Sequence, residues 1–533
     1  MLWPETVIFW GAGATASLGF PTTFQMGECI HNLVNKQECK TLDGIHKELS
    51  IFLDAVDSQN PTEITDDQIK KVRSLYEGGS LPDKKEPLLI AEWRRHYDWF
   101  ALKRIAEKIM PDEENTDFAS YFNYLYNIID ESLDYQTGVS VEYEGRPLVL
   151  SGSRLKNART LLDALQLWMI SCAYHNALKN KKDIVEKYIS FVGILGDLMR
   201  EEGRFLNNLD NINFDSREFY LFSYALVSMN YEPLLLWLLF NAHKNLNEQE
   251  SLCVTSRNRY LKLFNDFSLF FGMKPIKKKD GNEPEFQIWY PMNEPAAQRI
   301  NSYDEANRIM RIGKFYYPHG SLTFRKCPNC GKLNIKFGNK WEYLSESLFF
   351  NFPFPTELNK NNIEDNETGQ CDAFKCLFCG EMTYTYDLAY VTQSSFKQKL
   401  PSFLAEMQDD MKVCVENCKH IVLMGYGLPP DDVFWRSVMM AKGKGSTFCT
   451  VVDKFKCDKQ WIYGKELRKC KSRAVESVVS IFGENNVRAF SGGIPEVWEG
   501  GKEAVKKLLY PSEFFSVEFP YFLKKRIKTD KKI

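Results

Sequence analysis

A short apolar run near the start of the chain leads directly into a glycine-rich turn. The run is Thr6–Trp10, and Gly11, Ala12 and Gly13 follow it at once. Parallel strands that are covered by helices on both faces have this continuously apolar composition. Glycines just after such a strand let the backbone approach a pyrophosphate at a helix N-terminus. The pattern predicts an α/β fold with a dinucleotide site. A plain tight turn is the alternative, because the spacing is not G-x-G-x-x-G.

Further runs of the same character extend the predicted sheet. Three of them end in polar residues or glycine: residues 222–230, 420–425 and 447–453. A weaker run at 486–491 is predicted to be an edge strand. Helical patterns lie between the runs, as at 431–442 and 501–509. Strands that alternate with helices in this way predict a doubly wound, Rossmann-like parallel sheet.

The segment between the first two predicted strands has a different pattern. Its amphipathic stretches predict four long helices, at residues 97–109, 118–133, 158–177 and 184–199. Because connections in α/β units are usually short, we expect residues 31–214 to form a separate helical insertion. The other predicted units are a Rossmann-like domain built from residues 1–30, 215–322 and 400–500, an inserted zinc ribbon at 323–399 and a C-terminal helical tail at 501–533.

Composition and charge exclude several classes of protein. The 533 residues carry 68 Lys plus Arg against 70 Asp plus Glu, so neither nucleic acid nor an anionic membrane is expected as the main partner. The apolar stretches are too short to cross a bilayer, and the N-terminal run lacks the basic flank of a signal peptide. Without a secretory signal, the 14 cysteines are predicted to be reduced, and a cytoplasmic location is expected.

Four cysteines form two C-x-x-C-G motifs with a loop-rich spacer between them. Cys327 pairs with Cys330 in the first motif, and Cys376 pairs with Cys379 in the second. Four thiolates on two tight turns make a closed tetrahedral site, which suits a structural Zn²⁺ rather than a catalytic one. The alternatives are unpaired thiols and a redox dithiol, although a dithiol does not need two copies. The ribbon by itself does not name a function.

Polar residues at predicted strand ends are candidates for ligand binding and catalysis. Ser228, Asn230 and Glu232 lie where the second predicted strand ends, and open α/β sheets bind ligands at that edge. His319 is one of seven histidines and stands before a glycine. Imidazole is the usual general base near neutral pH. The alternatives are a helix cap for Asn230 and a structural role for His319.

Two later strands also end in candidate ligand contacts. Gly425 and Tyr426 form a glycine turn before a helical pattern, which predicts another loop that faces a ligand. Asp453 ends the run 447–453, where a carboxylate can bind a ribose hydroxyl. The alternative for Asp453 is a helix N-cap.

The order of these landmarks resembles the sirtuin family and, within it, the sirtuin-like NAD hydrolases of bacterial antiphage defence. The family has a strand with Gly-Ala-Gly and then Gly-hydrophobic-Pro, followed by Ser-x-Asn-x-acidic, His-Gly, two C-x-x-C pairs and a strand that ends in a glycine turn. This chain has all of them in that order. The resemblance covers residues 5–25 and 220–500, and it leaves out the helical insertion and the C-terminal end.

The resemblance implies a function for each matching residue. It places NAD, as substrate, against Gly11, Ala12, Gly13 and Pro21. It places Ser228, Asn230 and Glu232 near the nicotinamide ribose and the carboxamide, with Asn230 positioning a water molecule. His319 would be the base at the ribose hydroxyls. The adenosine half would contact the residues that follow two later strands, namely Gly425, Tyr426 and Asp453.

A departure from the family favours hydrolysis of NAD over protein deacylation. Deacylases follow Gly-Ile-Pro with Asp-Phe-Arg, whereas Pro21 is followed here by Thr22 and Thr23. Glu232 stands where the family has Asp, and its extra methylene shifts the carboxamide contact without abolishing it. The predicted activity is therefore NAD hydrolysis to ADP-ribose and nicotinamide. The alternatives are an NAD-dependent deacylase and an NAD or ADP-ribose sensor without turnover. Resemblance further implies a homo-oligomer and control by a HerA-like ATPase or a phage-derived activator.

Overall fold

The computed structural model of the chain describes residues 4–75, 86–110, 117–207, 224–248, 401–429, 432–442 and 447–511, and within 249–400 only 260–266, 272–276, 285–290, 308–327, 329–331, 333–335, 374–375, 382–383 and 388–390. Cys376 and Cys379 lie outside these residues, so the second half of the predicted zinc site is outside the described structure.

The first strand lies inside a large, mostly parallel sheet. Among the described residues the sheet has eight strands: β1 Thr6–Trp10, β4 Tyr224–Ser228, β5 Tyr260–Asp266, β8 Arg308–Tyr316, β14 His420–Met424, β15 Phe448–Val452, β16 Trp461–Tyr463 and β17 Val487–Phe490. Their order is β16-β17-β15-β14-β1-β4-β8-β5, and only β16 runs antiparallel to its neighbour. Every residue of β1, β4 and β14 is buried, as their apolar composition predicts. The α/β prediction is confirmed.

The order of the strands reverses at β1, and such a reversal is called a topological switch point. The chain runs from β1 to β4 on one side, and β14 later pairs with the other side of β1. In open α/β sheets, ligands bind outside the carboxyl ends of the strands near such a reversal. The run 486–491 does not form the sheet edge that was predicted. It forms β17, which β16 covers.

Helices occupy most of the described part of residues 31–214, as predicted. They are α1 Thr23–Val34, α2 His46–Val56, α3 Asp66–Ser74, α4 Glu86–His96, α5 Trp99–Lys108, α6 Phe118–Asp134, α7 Ser153–Asn180 and α8 Lys182–Asn207. An antiparallel hairpin of β2 Val139–Tyr143 and β3 Arg146–Leu150 was not predicted. Helix α1 begins at a capping box of Thr22 and Gln25, so it starts within the predicted first domain and ends inside the insertion.

Five further helices follow β4 among the described residues: α9 Leu234–Glu248, α10 Ser402–Asn417, α11 Val433–Ala441, α12 Arg473–Phe482 and α13 Gly501–Leu509. The predicted helices at 431–442 and 501–509 are confirmed as α11 and α13. Helix α12 buries Val475 and Val478 on one stripe, and its N-cap Ser472 accepts from the backbone N–H of Val475.

Short antiparallel strands flank both cysteine motifs. Strand β9 Gly320–Lys326 pairs with β10 Leu333–Ile335 on either side of the first motif. The second motif lies between the paired strands β11 Phe374–Lys375 and β12 Met382–Thr383. Strand β13 Leu388–Tyr390 also pairs with β9. A separate hairpin consists of β6 Gly272–Ile276 and β7 Glu285–Tyr290.

One pair of cysteines departs from the predicted reduced state. Cys29 of α1 and Cys39 form a disulfide, so that prediction is wrong for this pair. Six other cysteines of the described segments are free thiols: Cys172, Cys414, Cys418, Cys449, Cys457 and Cys470. None of the described helices is long and apolar enough to span a membrane.

Candidate functional site

Backbone contact between two loops determines where glycine is needed at the switch point. Gly13 N donates to the Gly425 carbonyl at 2.9 Å, and Gly11 N donates to Met424 O at 2.9 Å. A Cβ on Gly425 would lie 2.1 Å from Ala14 N, and Gly425 has φ +56°. These three glycines are therefore required by packing between the loops after β1 and β14.

A small cavity opens beside these loops, on the side of β4 and the helical insertion. Of the predicted site residues it brings together Ala12, Pro21, Asn230 and Glu232. The cavity volume is about 50 Å³, which is room for a few water molecules. The cavity suits the small end of a ligand, and a dinucleotide would extend beyond it.

Asn230 joins the loops after β1 and β4. Its Nδ2 donates to Gly11 O at 3.1 Å and to Glu232 Oε1 at 3.0 Å. Because a backbone carbonyl can only accept, the NH₂ end of the amide must face Gly11. The Oδ1 end has no hydrogen-bond partner within the described structure, and Asn230 lines the cavity. Asn230 thus offers a fixed acceptor, and its side chain does not cap α9.

Glu232 is a buried carboxyl at the start of a helix. Its Oε2 accepts from Leu234 N at 2.5 Å, and the side chain lines the cavity. Burial raises the pKa of Glu232 to about 7, although the hydrogen bonds from Asn230 and Leu234 act in the opposite direction. Near neutral pH the Glu232 carboxyl is therefore protonated in some molecules and ionised in the others.

His319 forms a buried pair with an aspartate that sequence reasoning did not select. Its Nε2 lies 3.3 Å from Asp432 Oδ1, and Asp432 also accepts a short hydrogen bond from the Tyr426 hydroxyl. An aspartate partner places the hydrogen of a neutral imidazole on Nε2, which leaves the lone pair on Nδ1. That Nδ1 is buried and has no partner among the described residues. The geometry is that of an oriented base.

His319 lies next to the cavity without lining it. Its ring is 6.3 Å from the ring of Tyr231, which does line the cavity. The loop that carries His319 is held there because Leu322 N and the Ser321 hydroxyl both donate to Tyr231 O.

Several predicted contacts lie away from the cavity. The Ser228 hydroxyl lies 3.4 Å from Asn230 O, a local contact within the same loop. Tyr426 is buried and stacks on Phe9 of β1, with 5.8 Å between ring centroids. Asp453 Oδ2 accepts from the Ser472 hydroxyl at 3.3 Å. With Gly11, Gly13, Gly425 and His319, these residues surround the switch point but do not line the cavity.

The helical insertion forms the opposite wall, which sequence analysis did not foresee. Phe122, Asn123 and Tyr126 of α6 and Gln166 and Ile170 of α7 line the cavity.

A second contact of the insertion fixes the loop after β1. Tyr188 of α8 donates to Ala14 O and lies 2.8 Å from the Ser17 hydroxyl, and Lys181 Nζ donates to Ser17 O at 2.9 Å. Amphipathic periodicity predicts these helices but not the surface that they contact.

The first cysteine motif has the backbone of a metal-binding knuckle. Cys327 is buried, and Gly331 N donates to its carbonyl at 2.9 Å with Gly331 at φ +69°. No group of three or more His, Cys, Asp or Glu side chains suited to a metal ion occurs in the part of the chain that the structure describes. That part contains only Cys327 and Cys330 of the four predicted ligands.

Comparisons with protein-family models and with curated proteins find no match for this chain. The sirtuin resemblance therefore stays a prediction from the order of the landmark residues.

Proposed function

We propose that the chain is a sirtuin-like hydrolase that cleaves NAD to ADP-ribose and nicotinamide. The observation that carries the proposal is the position of Asn230. Its Nδ2 is anchored to Gly11 and Glu232 at the carboxyl ends of β1 and β4, and the residue lines a cavity together with Ala12 and Pro21. This is the edge of the sheet at which α/β proteins bind ligands.

The chemistry of the reaction assigns the polar groups. Breaking the bond between nicotinamide and ribose builds positive charge on the sugar, so the site must hold the acceptor in place and exclude bulk water. The Asn230 oxygen can accept a hydrogen bond from the attacking water. His319, oriented by Asp432, has the free lone pair that a base at the ribose hydroxyls requires. The buried Glu232 faces the departing nicotinamide.

A structural zinc ion belongs to the same proposal. Cys327 and Cys330 lie on a glycine turn between the paired strands β9 and β10. In the sequence, Cys376 and Cys379 fall between the paired strands β11 and β12. Two knuckles between antiparallel strands fit a four-thiolate site, in which Zn²⁺ would stabilise the fold without entering the reaction.

The deciding experiment measures nicotinamide release from NAD by the purified full-length protein, with and without an acetyl-lysine peptide. The variants are Asn230→Ala and His319→Ala, and Ser437→Ala is the matched control, because its exposed hydroxyl donates to Val433 O within its own helix. We expect release without peptide that both variants lose and the control keeps. Release only with peptide would establish a deacylase instead, and NAD binding without release would establish a sensor.

A further inference from the structure

The amide of Gln166 is buried in the cavity wall with one end unused. Gln166 belongs to α7 of the helical insertion, is 1% exposed and lines the same cavity as Asn230. Its only hydrogen bond among the described residues joins it to the Tyr126 hydroxyl, 2.9 Å from Oε1. Burying an amide costs free energy unless both of its ends form hydrogen bonds. The end of the Gln166 amide without a protein partner is therefore available to bind a polar group of a ligand.

The residues behind Gln166 hold it in place. The Tyr126 hydroxyl also lies 3.2 Å from Asp163 Oδ1, and the Arg159 guanidinium lies 4.4 Å from the Tyr126 ring centroid. Arg159 in turn bonds to both Asp163 and Asp130, the latter at 2.6 Å. A charged network that supports a single polar group at a cavity wall is the arrangement of a pre-organised binding site.

A primary amide is the ligand group that matches this wall. The Tyr126 hydroxyl has one hydrogen, which it donates either to Gln166 or to Asp163. It therefore bonds either to the oxygen of the Gln166 amide or, as an acceptor, to its NH₂ group, and the other end of the amide faces the cavity. A carboxamide complements Gln166 in both cases, because each end of one amide pairs with the opposite end of another. The rest of the lining includes the apolar Phe20, Met26 and Ile170, which suit a flat ring.

We propose that Gln166 is a specificity-determining residue that binds the carboxamide of nicotinamide through the end of its amide that Tyr126 leaves free. The proposal rests on the proposed function, because NAD must place its nicotinamide in this cavity. It gives the helical insertion a direct part in choosing the substrate.

The test compares nicotinamide with nicotinic acid, which differ only in the amide. Calorimetry on the full-length protein measures binding of both to the wild type, to Gln166→Met and to Asn176→Ala. Asn176 is an exposed amide on the same helix and is the matched control. We expect Gln166→Met to weaken nicotinamide binding about tenfold and to bring the amide-to-acid preference close to one, while the control behaves as wild type.

A second variant covers the case in which Gln166→Met fails to fold. Tyr126→Phe keeps the amide but removes the hydroxyl that orients it, and we expect a smaller loss of nicotinamide affinity in the same direction, of about threefold. An unchanged amide-to-acid preference in a folded Gln166 variant would overturn the proposal. So would absence of nicotinamide binding to the wild type.

Parallel assays of NAD cleavage separate this inference from the proposed function. Cleavage by the wild type with an unchanged preference in Gln166→Met refutes the role of Gln166 alone. Nicotinamide binding that depends on Gln166 without any cleavage supports the role of Gln166 and refutes the hydrolase.

Discussion

The two ends of the central sheet use buried histidines in opposite ways. Toward the amino ends, His420 lies 3.2 Å from Leu509 O through Nδ1 and 2.7 Å from the Thr450 hydroxyl through Nε2. At the carboxyl ends, His319 uses Nε2 to contact Asp432 and leaves Nδ1 without a partner in the described structure. Both residues are buried, with 0% of His420 and 3% of His319 exposed. A fully satisfied histidine joins elements together, whereas a half-satisfied one is available for chemistry.

The contrast extends to the residues around each histidine. At the amino ends Arg488 donates to the Thr450 hydroxyl at 2.8 Å and to the last carbonyls of α13, Lys507 O and Leu508 O. A cation at a helix C-terminus is stabilising, so this end anchors α13 to the sheet. At the carboxyl ends, Asn230 presents an unused polar atom to a cavity.

The largest expected effect is on activity. We expect His319→Gln to lower nicotinamide release about 100-fold or more, because the oriented base is lost, with a small change in the free energy of unfolding. His420→Gln is the matched variant at the other end and should show the reverse, a loss of stability with activity retained per folded molecule. Release assays and urea denaturation on both variants measure the two effects. Equal behaviour of the two variants would refute the division between the ends.

The next effect is on stability. Arg488→Met should lower the free energy of unfolding by about 3 kcal/mol, because it removes charged hydrogen bonds to Thr450 and to the end of α13. Arg468 is the matched control, since its side chain is 72% exposed and its pair with Glu484 is superficial. Arg468→Met should change stability by about 0.5 kcal/mol or less. Urea midpoints decide the outcome, and an Arg488 variant as stable as the control would contradict the proposed anchor.

The two ends should also respond to pH with opposite signs. Burial raises the pKa of Glu232 to about 7, above its usual 4.5, so the folded state takes up a proton more readily than the unfolded state. Its contribution to stability therefore falls as pH rises from about 4.5 through 7. We expect the stability of the wild type relative to Glu232→Gln to decrease by about 2 kcal/mol between pH 5 and pH 8.

The stability that His420 contributes should change with pH in the opposite direction. Burial, aided by Arg488, lowers the pKa of His420 well below 6.5, so only the unfolded state takes up its proton. Stability from this residue is lost as pH falls below about 6.5, and the His420→Gln variant should lack that loss. Unfolding curves from pH 5 to pH 8 test both residues. Parallel pH profiles for the two variants would rule out the assigned pKa directions.

The smallest expected effect concerns Asp432, which orients His319 and does not touch the cavity. Asp432→Asn should lower kcat for nicotinamide release about tenfold and leave KM nearly unchanged, because the base is misoriented while the binding wall is intact. Asp432→Glu should recover part of the rate. A rise in KM of the same size as the fall in kcat would mean that Asp432 acts through the shape of the cavity.

Much of the fold was predictable because its signals are local. The apolar strands β1, β4 and β14 and the amphipathic helix α6 lie close to where composition and periodicity place them. Predictions failed where a tertiary partner decides the outcome. The edge position of β17 depends on whether β16 pairs with it. The disulfide of Cys29 and Cys39 depends on how α1 packs against the segment that follows it.

The candidate site divides in the same way. Asn230 and Glu232 were predictable because both lie just after a strand that the sequence marks. Asp432 follows a glycine turn and precedes α11, but only the fold brings it to His319. Gln166 carries no sequence signal, because a glutamine inside a long helix is most often exposed. Its place in the wall follows from how α7 packs against α6.

By itself, the sequence determined the parallel strands, the glycine turns and the helical insertion, because hydrophobic periodicity and glycine are properties of neighbouring residues. The tertiary structure alone decided that Gly11 and Gly13 are required by contact with Gly425, that His319 pairs with Asp432, and that the insertion forms a wall of the cavity. The physical reason is separation along the sequence. These contacts join residues that are up to hundreds of positions apart, and no local pattern specifies which surfaces will pack together.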